Sequence, residues 1–202
     1  MMHRILTIIS YIFHPLIIPV IGVAFYFSKS PQYIPTEIIY PKLISLVILT
    51  IILPILLYFL LKTLGKVNSI ELKTTNERII PLAINGLVII LVLKRVITIN
   101  EIIELYYFFL GILISTITCL ILAIMKFKAS IHMIAVSGLF MFFVALSIHF
   151  SININGTLAL MSIITGAVAT SRLHLNAHTF KELILGLFVG TIPQLMLVSY
   201  WL

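Results

Sequence analysis

A short polar segment near the end of the chain holds side chains whose types and spacing suit the chemistry of anions. Arg172 is followed after five residues by His178, and Glu182 follows after three more. A guanidinium binds an anion through paired N–H donors, an imidazole transfers protons or attacks an electrophile, and a carboxylate orients that imidazole. Apolar stretches flank the segment, and ionisable groups in such a setting are costly and usually functional. We therefore predict that this segment belongs to a functional site.

The elements that position these side chains are predicted from composition to be membrane-spanning helices. Of the 202 residues, 61% are hydrophobic and 9% are charged, and the mean hydropathy is +1.23. A soluble domain is about half apolar and about a quarter charged. We predict an all-α fold, a polytopic transmembrane helix bundle that occupies residues 1–202 as a single domain.

Seven apolar segments predict the spans, and open sheets are excluded because their edges leave backbone groups unpaired in lipid. The third and sixth segments are short for a spanning helix, which needs roughly 20 residues. We therefore expect six or seven spans. The segments cover residues 5–27, 41–61, 79–93, 103–125, 133–150, 158–170 and 183–201.

The distribution of charge indicates the kind of partner. The formal net charge of +7 suits anionic lipid headgroups or phosphorylated substrates. The cations lie between apolar segments and form no basic arm or face, which excludes nucleic acid. With one cysteine, Cys119, no intrachain disulfide is possible.

The order of the spans predicts that distant loops meet. If all seven segments cross the membrane, the loops around 62–78, 126–132 and 171–182 open on the same side, so one site can be assembled from all three. The positive-inside rule does not fix which side this is. The side that holds the N-terminus and these three loops has nine Lys and Arg residues, and the opposite side has four. If the candidate anion ligands are left out of the count, the numbers become five and four. The ionisable residues of these loops include Lys73, Arg78, Lys128, His132, Arg172, His178 and Glu182.

The spacing resembles that of a known family, the type-2 phosphatidic acid phosphatase superfamily of integral membrane lipid phosphatases. Its third motif is Ser-Arg-x5-His-x3-Asp, and Ser171-Arg172, His178 and Glu182 match it with Glu in place of Asp. Its second motif is Pro-Ser-Gly-His, and Ala129-Ser130-Ile131-His132 keeps the Ser and the His. Its first motif is a Lys/Arg stretch that ends in Arg-Pro. Here Lys73 and Arg78 have four intervening residues instead of six, and the proline, Pro81, comes three residues after the arginine.

The resemblance covers roughly residues 73–186 and implies a role for each matching residue. It implies that His178 is the nucleophile, that Glu182 orients it, and that His132 is the general acid and base. It also implies that no metal or cofactor is required. The phosphate-binding residues would be Arg78, Ser130, Arg172 and Lys73.

These roles also follow from the demands of phosphate-ester hydrolysis, which needs positive charge on the phosphoryl oxygens, a nucleophile and a proton donor for the leaving oxygen. A lipid substrate would keep its tail in the bilayer while its headgroup enters the site. The candidates are undecaprenyl pyrophosphate, phosphatidylglycerophosphate, phosphatidic acid and a lipid A phosphate. We expect an integral membrane protein of the bacterial inner (cell) membrane, and its oligomeric state stays open.

Two other functions remain open from the sequence. His174, His178 and Glu182 recur every four residues and would share one face of a helix, so that with His132 they would form the ligand set of a metal-dependent membrane hydrolase. The other is a non-catalytic relative that binds or transports anionic lipids through its basic loops.

Several other polar residues are expected to be structural. Lys128 is predicted to be an interfacial anchor, and His149 to be satisfied within the bundle. His14 lies in the first apolar segment beside Pro15. With Pro19 it is predicted to mark a kink, with a packing role for its ring.

Overall fold

The chain folds into helices in the computed structural model, which describes residues 2–68, 72 and 74–202. A short π-helical segment, Ile48–Ile52, joins α3 to α4, so that both form one continuous rod. The helices are α1 (Met2–Ile12), α2 (Ile18–Lys29), α3 (Thr36–Val47), α4 (Leu53–Thr63), α5 (Thr75–Arg95), α6 (Ile103–Ile124), α7 (Ile131–His149), α8 (Asn155–His174) and α9 (Phe180–Val198).

Six of the helical rods are long and apolar enough to cross a membrane. They are the 28-residue rod Thr36–Thr63 and the five helices α5 to α9, which have between 19 and 22 residues each. A helix of about 20 residues matches the hydrocarbon core of a bilayer. The predicted transmembrane helix bundle is confirmed, and the protein is an integral membrane protein.

The first predicted span, residues 5–27, is wrong as a single rod. The structure divides it into α1 and α2 at the turn of residues 13–17. The cause is Pro15, which lacks a backbone N–H and disfavours helical geometry in the residue before it, His14. Helices α1 and α2 have 11 and 12 residues, so each is too short to span alone.

The third and sixth predicted segments, which are short as apolar runs, form helices that extend beyond those runs. Helix α5 begins four residues before the predicted start at 79, because Thr74 accepts a hydrogen bond from the Glu77 N–H in a capping box. Helix α8 extends through Arg172 to His174. Both helices therefore carry polar residues in an end turn, where side chains reach the interface.

Small residues let α9 lie close against its neighbours. A side-chain carbon at Gly190 would collide with the Ile134 carbonyl and the Ser137 hydroxyl of α7. One at Gly186 would lie 2.7 Å from the Ser130 carbonyl oxygen. Such close approach is how helices associate in lipid. The packing holds the start of α9 beside the start of α7.

The five helices α5 to α9 alternate in direction along the bundle. The starts of α5, α7 and α9 and the end of α8 therefore meet at one end, which we call the site end. The start of α6 and the ends of α7 and α9 meet at the other, which we call the opposite end. Contacts across the site end confirm the grouping: Arg78 Nη1 donates to the Ala129 carbonyl at 2.6 Å, and the Ser130 N–H to the Glu182 carbonyl at 3.1 Å.

Candidate active site

The imidazole of His178 is held by a carboxylate at the start of α9. Thr179 caps this helix, and Glu182 completes a capping box with it. The same carboxylate places Oε2 2.6 Å from His178 Nδ1. A carboxylate can only accept, so Nδ1 carries the hydrogen and Nε2 keeps its lone pair. Glu182 thus both caps the helix and orients the ring.

His178 itself lies outside the helix. It is the residue before the cap, in the turn between α8 and α9. The predicted contact with Glu182 is made, but across a helix start and not along a continuous helical turn. The His178 side chain is buried, with 2% of its surface exposed.

The surroundings of His178 are positive. Burial, and then the charges of Arg78, Lys128 and Arg172, lower the pKa of His178 to about 3. The ring is therefore neutral near pH 7, with a nucleophilic nitrogen. Neutrality is what an attacking imidazole requires.

Arg78 joins two of the three predicted loops. This residue, 3% exposed, lies in the first turns of α5. Its Nε donates to the Leu72 carbonyl at 2.9 Å, and its Nη1 to that of Ala129. The guanidinium is therefore fixed beside the segment that leads into α7. Lys73, its predicted companion, lies outside the described residues.

Ser130 is the N-cap of α7, and its side chain is completely buried. Its oxygen accepts from the Met133 N–H at 3.5 Å. A capping hydroxyl accepts through oxygen, so its hydrogen can still be donated to a phosphoryl oxygen. Lys128, predicted to be only an anchor, donates to the Ala177 carbonyl at 2.9 Å. It therefore ties the start of α7 to the residue before His178.

Arg172 and His132 both contact the same residue of α1, Ser10. Arg172, 6% exposed, donates from Nη1 to the Ser10 hydroxyl at 2.7 Å. His132 Nε2 lies 3.2 Å from the Ser10 carbonyl oxygen and 3.5 Å from its hydroxyl. The ring of His14 meets that of His132 edge-on, with centroids 5.4 Å apart. His14, predicted to have a packing role, thus lies beside a candidate catalytic residue.

Ser10 is the residue that the sequence analysis missed. The available signal was its spacing: Ser10 and His14 are polar residues four apart in an otherwise apolar segment. Residues at that spacing lie on one face of a helix. A polar face on an otherwise apolar helix predicts that its side chains contact polar groups inside the bundle.

The ligand set of the predicted metal site is not assembled. Helix α8 ends at His174 and α9 begins at Phe180, so His174, His178 and Glu182 do not share a helical face. The exposed His174 ring instead faces His3, at a centroid distance of 5.8 Å. Among residues 2–68, 72 and 74–202, no three His, Cys, Asp or Glu side chains are grouped to hold a metal ion.

The site end therefore brings together most of the residues predicted from sequence. Two guanidiniums and two imidazoles come from four helix ends, and a carboxylate orients one imidazole. This arrangement can bind an oxyanion, attack it and transfer a proton. The residues are Arg78, Ser130, His132, Arg172, His178 and Glu182.

No model of a known protein family, no curated protein and no solved structure matches this chain. The resemblance to the type-2 phosphatidic acid phosphatases therefore rests on the motif residues of the sequence and stays an expectation.

Proposed function

We propose that the protein is an integral membrane phosphatase that hydrolyses a lipid phosphate or lipid pyrophosphate through a phospho-histidine on His178. The observation that carries the proposal is the setting of this imidazole. Its Nδ1 lies 2.6 Å from the Glu182 carboxylate, while the charges of Arg78, Lys128 and Arg172 act on the ring. A neutral nucleophile beside several cations suits attack on a phosphoryl group.

In the first step, Nε2 of His178 attacks phosphorus and the bond from phosphorus to the leaving oxygen breaks. His132 begins this step as the imidazolium and gives a proton to that oxygen. The guanidiniums of Arg78 and Arg172 stabilise the charge on the phosphoryl oxygens. Glu182 stabilises the imidazole as it becomes positively charged.

In the second step, water attacks the phospho-histidine. His132, now neutral, accepts a proton from that water, and the bond from phosphorus to Nε2 breaks. Inorganic phosphate leaves and His178 returns to its starting form. With a pyrophosphate substrate, the first leaving group is the lipid monophosphate.

The position of the site supports a lipid substrate. The residues lie at the ends of membrane-spanning helices, where a headgroup meets water. A groove of about 380 Å³ lies midway along α7, which carries His132, and along α8 and α9, which carry Arg172 and Glu182. An acyl or prenyl chain can lie in such a groove while its phosphate stays at the site end. Its lining residues are Ser137, Phe140, Met141, Ser162, Thr165, Leu187 and Thr191.

The test measures phosphate release by purified protein from undecaprenyl pyrophosphate, phosphatidylglycerophosphate, phosphatidic acid and a lipid A phosphate. We expect hydrolysis of at least one, inhibition by vanadate, and a loss of about 1,000-fold or more in His178→Ala. His174→Ala is the matched control, because it removes an exposed histidine of the same region.

A phosphorylated intermediate gives an independent reading. Rapid quenching with radiolabelled substrate should yield an acid-labile protein label that His178→Ala lacks. Full activity in His178→Ala would reject the nucleophile. Lipid binding without phosphate release from any substrate would instead favour a non-catalytic lipid-binding protein.

A further inference from the structure

Two of the proposed functional side chains, from different helices, converge on one residue of α1. Arg172 Nη1 lies 2.7 Å from the Ser10 hydroxyl oxygen, and His132 Nε2 lies 3.2 Å from the Ser10 carbonyl oxygen. Ser10 is 7% exposed. Polar contacts that are shielded from water are stronger and hold their geometry better than exposed ones.

Helix α1 is held in this position by a second contact. The buried Ser171 hydroxyl donates to the Leu6 carbonyl at 2.6 Å. Leu6 and Ser10 are four residues apart and both are buried, whereas Ile8 and Tyr11 are exposed. One face of α1 therefore packs against the end of α8, next to Arg172.

The chemistry of the Ser10 contacts fixes the roles of their atoms. A carbonyl oxygen can only accept, so the hydrogen of the shared bond is on Nε2 of His132. Proton transfer to and from substrate then falls to Nδ1 of the same ring. The arrangement parallels that of His178, whose Nδ1 is held by Glu182 and whose Nε2 is left to react.

We propose that Ser10 is a positioning residue of the site: its carbonyl orients the His132 ring and its hydroxyl orients the Arg172 guanidinium. This role rests on the proposed phosphatase function. It adds α1 to the elements that form the site, although this helix lies outside the three motifs.

The experiment compares Ser10→Ala with Thr7→Ala. Thr7 lies on the same helix, and its hydroxyl donates to the His3 carbonyl at 2.8 Å on the exposed side. Ser10→Ala should raise both the KM for the lipid phosphate and the inhibition constant of vanadate about tenfold, because the guanidinium loses its fixed acceptor. Thr7→Ala should match the wild type, and Ser10→Thr, which keeps the hydroxyl, should recover most of the vanadate affinity.

Two further variants separate positioning from folding. Ser10→Cys keeps the size of the side chain but accepts hydrogen bonds weakly, so it should fold and still lose vanadate affinity several-fold. His132→Gln keeps an N–H donor in reach of the Ser10 carbonyl, so its thermal unfolding should match the wild type while hydrolysis is lost.

The outcomes distinguish this proposal from the function on which it rests. If His178→Ala abolishes hydrolysis but Ser10→Ala and Ser10→Cys bind vanadate like Thr7→Ala, the role of Ser10 is overturned and the phosphatase stands. If the wild type releases phosphate from no lipid of the panel, the phosphatase fails and the role of Ser10 fails with it.

Discussion

Both ends of the bundle pair a histidine with a glutamate, and the two pairs have different surroundings. At the site end, His178 Nδ1 lies 2.6 Å from Glu182. At the opposite end, His149 Nε2 lies 3.4 Å from Glu104, which also accepts a hydrogen bond from the Tyr26 hydroxyl at 3.1 Å. Glu104 is 3% exposed, whereas the Glu182 side chain is 23% exposed, so the carboxylate of the opposite end is the more deeply buried of the two.

The neighbours of each pair decide what it can do. His178 is acted on by the charges of Arg78, Lys128 and Arg172. The ring of His149 instead packs against Trp201 and Phe150, with centroids 5.2 and 4.7 Å away. One pair is set among cations that can bind an anion. The other joins α2, α6 and α7 inside aromatic packing, as the predicted structural role of His149 requires.

Replacing each glutamate with the neutral glutamine is the most informative test of whether the two pairs differ in function. Glu182→Gln should lower kcat about 100-fold, because a neutral amide stabilises the imidazolium poorly. Glutamine also serves at this position of a capping box, so α9 should persist. Glu104→Gln should leave the rate unchanged and lower the free energy of unfolding by about 1–3 kcal/mol.

Phosphate release and thermal unfolding of both variants check this prediction. Glu182→Asp, which keeps a carboxylate on a shorter side chain, is the control and should keep most of the activity. Equal losses of rate in Glu182→Gln and Glu104→Gln would show that the two ends are not functionally different.

Acid should act on the site end through His178. The pKa of this histidine is lowered from 6.5 to about 3, so below pH 6.5 the unfolded chain binds a proton that the folded protein does not. Stability should therefore fall as pH decreases from 6.5 towards 3, by at most about 1.4 kcal/mol per pH unit. Denaturant unfolding of the wild type and His178→Gln measures this, and a slope as steep in the variant would contradict it.

The smallest effect is expected at the exposed edge of the opposite end. Lys42 Nζ lies 3.0 Å from Glu101, whose side chain is 52% exposed. Hydrogen bonds from Lys42 and then Thr98 lower the pKa of Glu101, so this pair stabilises the protein above pH 4.5 and ceases to do so as pH falls below it. Lys42→Met should cost less than about 1 kcal/mol at pH 7. Thermal unfolding at pH 7 and in acid checks this, and a loss that is larger in acid than at pH 7 would contradict it.

The sequence predicted the helical bundle and the meeting of its three polar loops, because both depend on local features. Long apolar runs indicate spans whatever their partners are, and the order of the spans determines which loops share an end. Arg78, His132, Arg172 and His178 were identified in this way. Their roles in catalysis stay predictions until hydrolysis is measured.

The missed features depend on contacts between distant parts of the chain. Nothing near Ser10 in sequence indicates that Arg172 will donate to it, since 162 residues separate them. The prediction that His174, His178 and Glu182 share a face was wrong because it assumed one helix. Thr179 caps a new helix there, so residues four apart on either side of it do not lie on one helical face.

The rod Thr36–Thr63 has a consequence for the membrane around the protein. Its 28 residues extend about 42 Å, which is more than the roughly 30 Å of hydrocarbon in a typical bilayer. Its apolar run, residues 41–61, extends about 31 Å and matches that core, so the polar turns at both ends of the rod reach the headgroup regions. Only 11% of its most apolar window is buried within the protein, so lipid covers most of the surface of this outer rod.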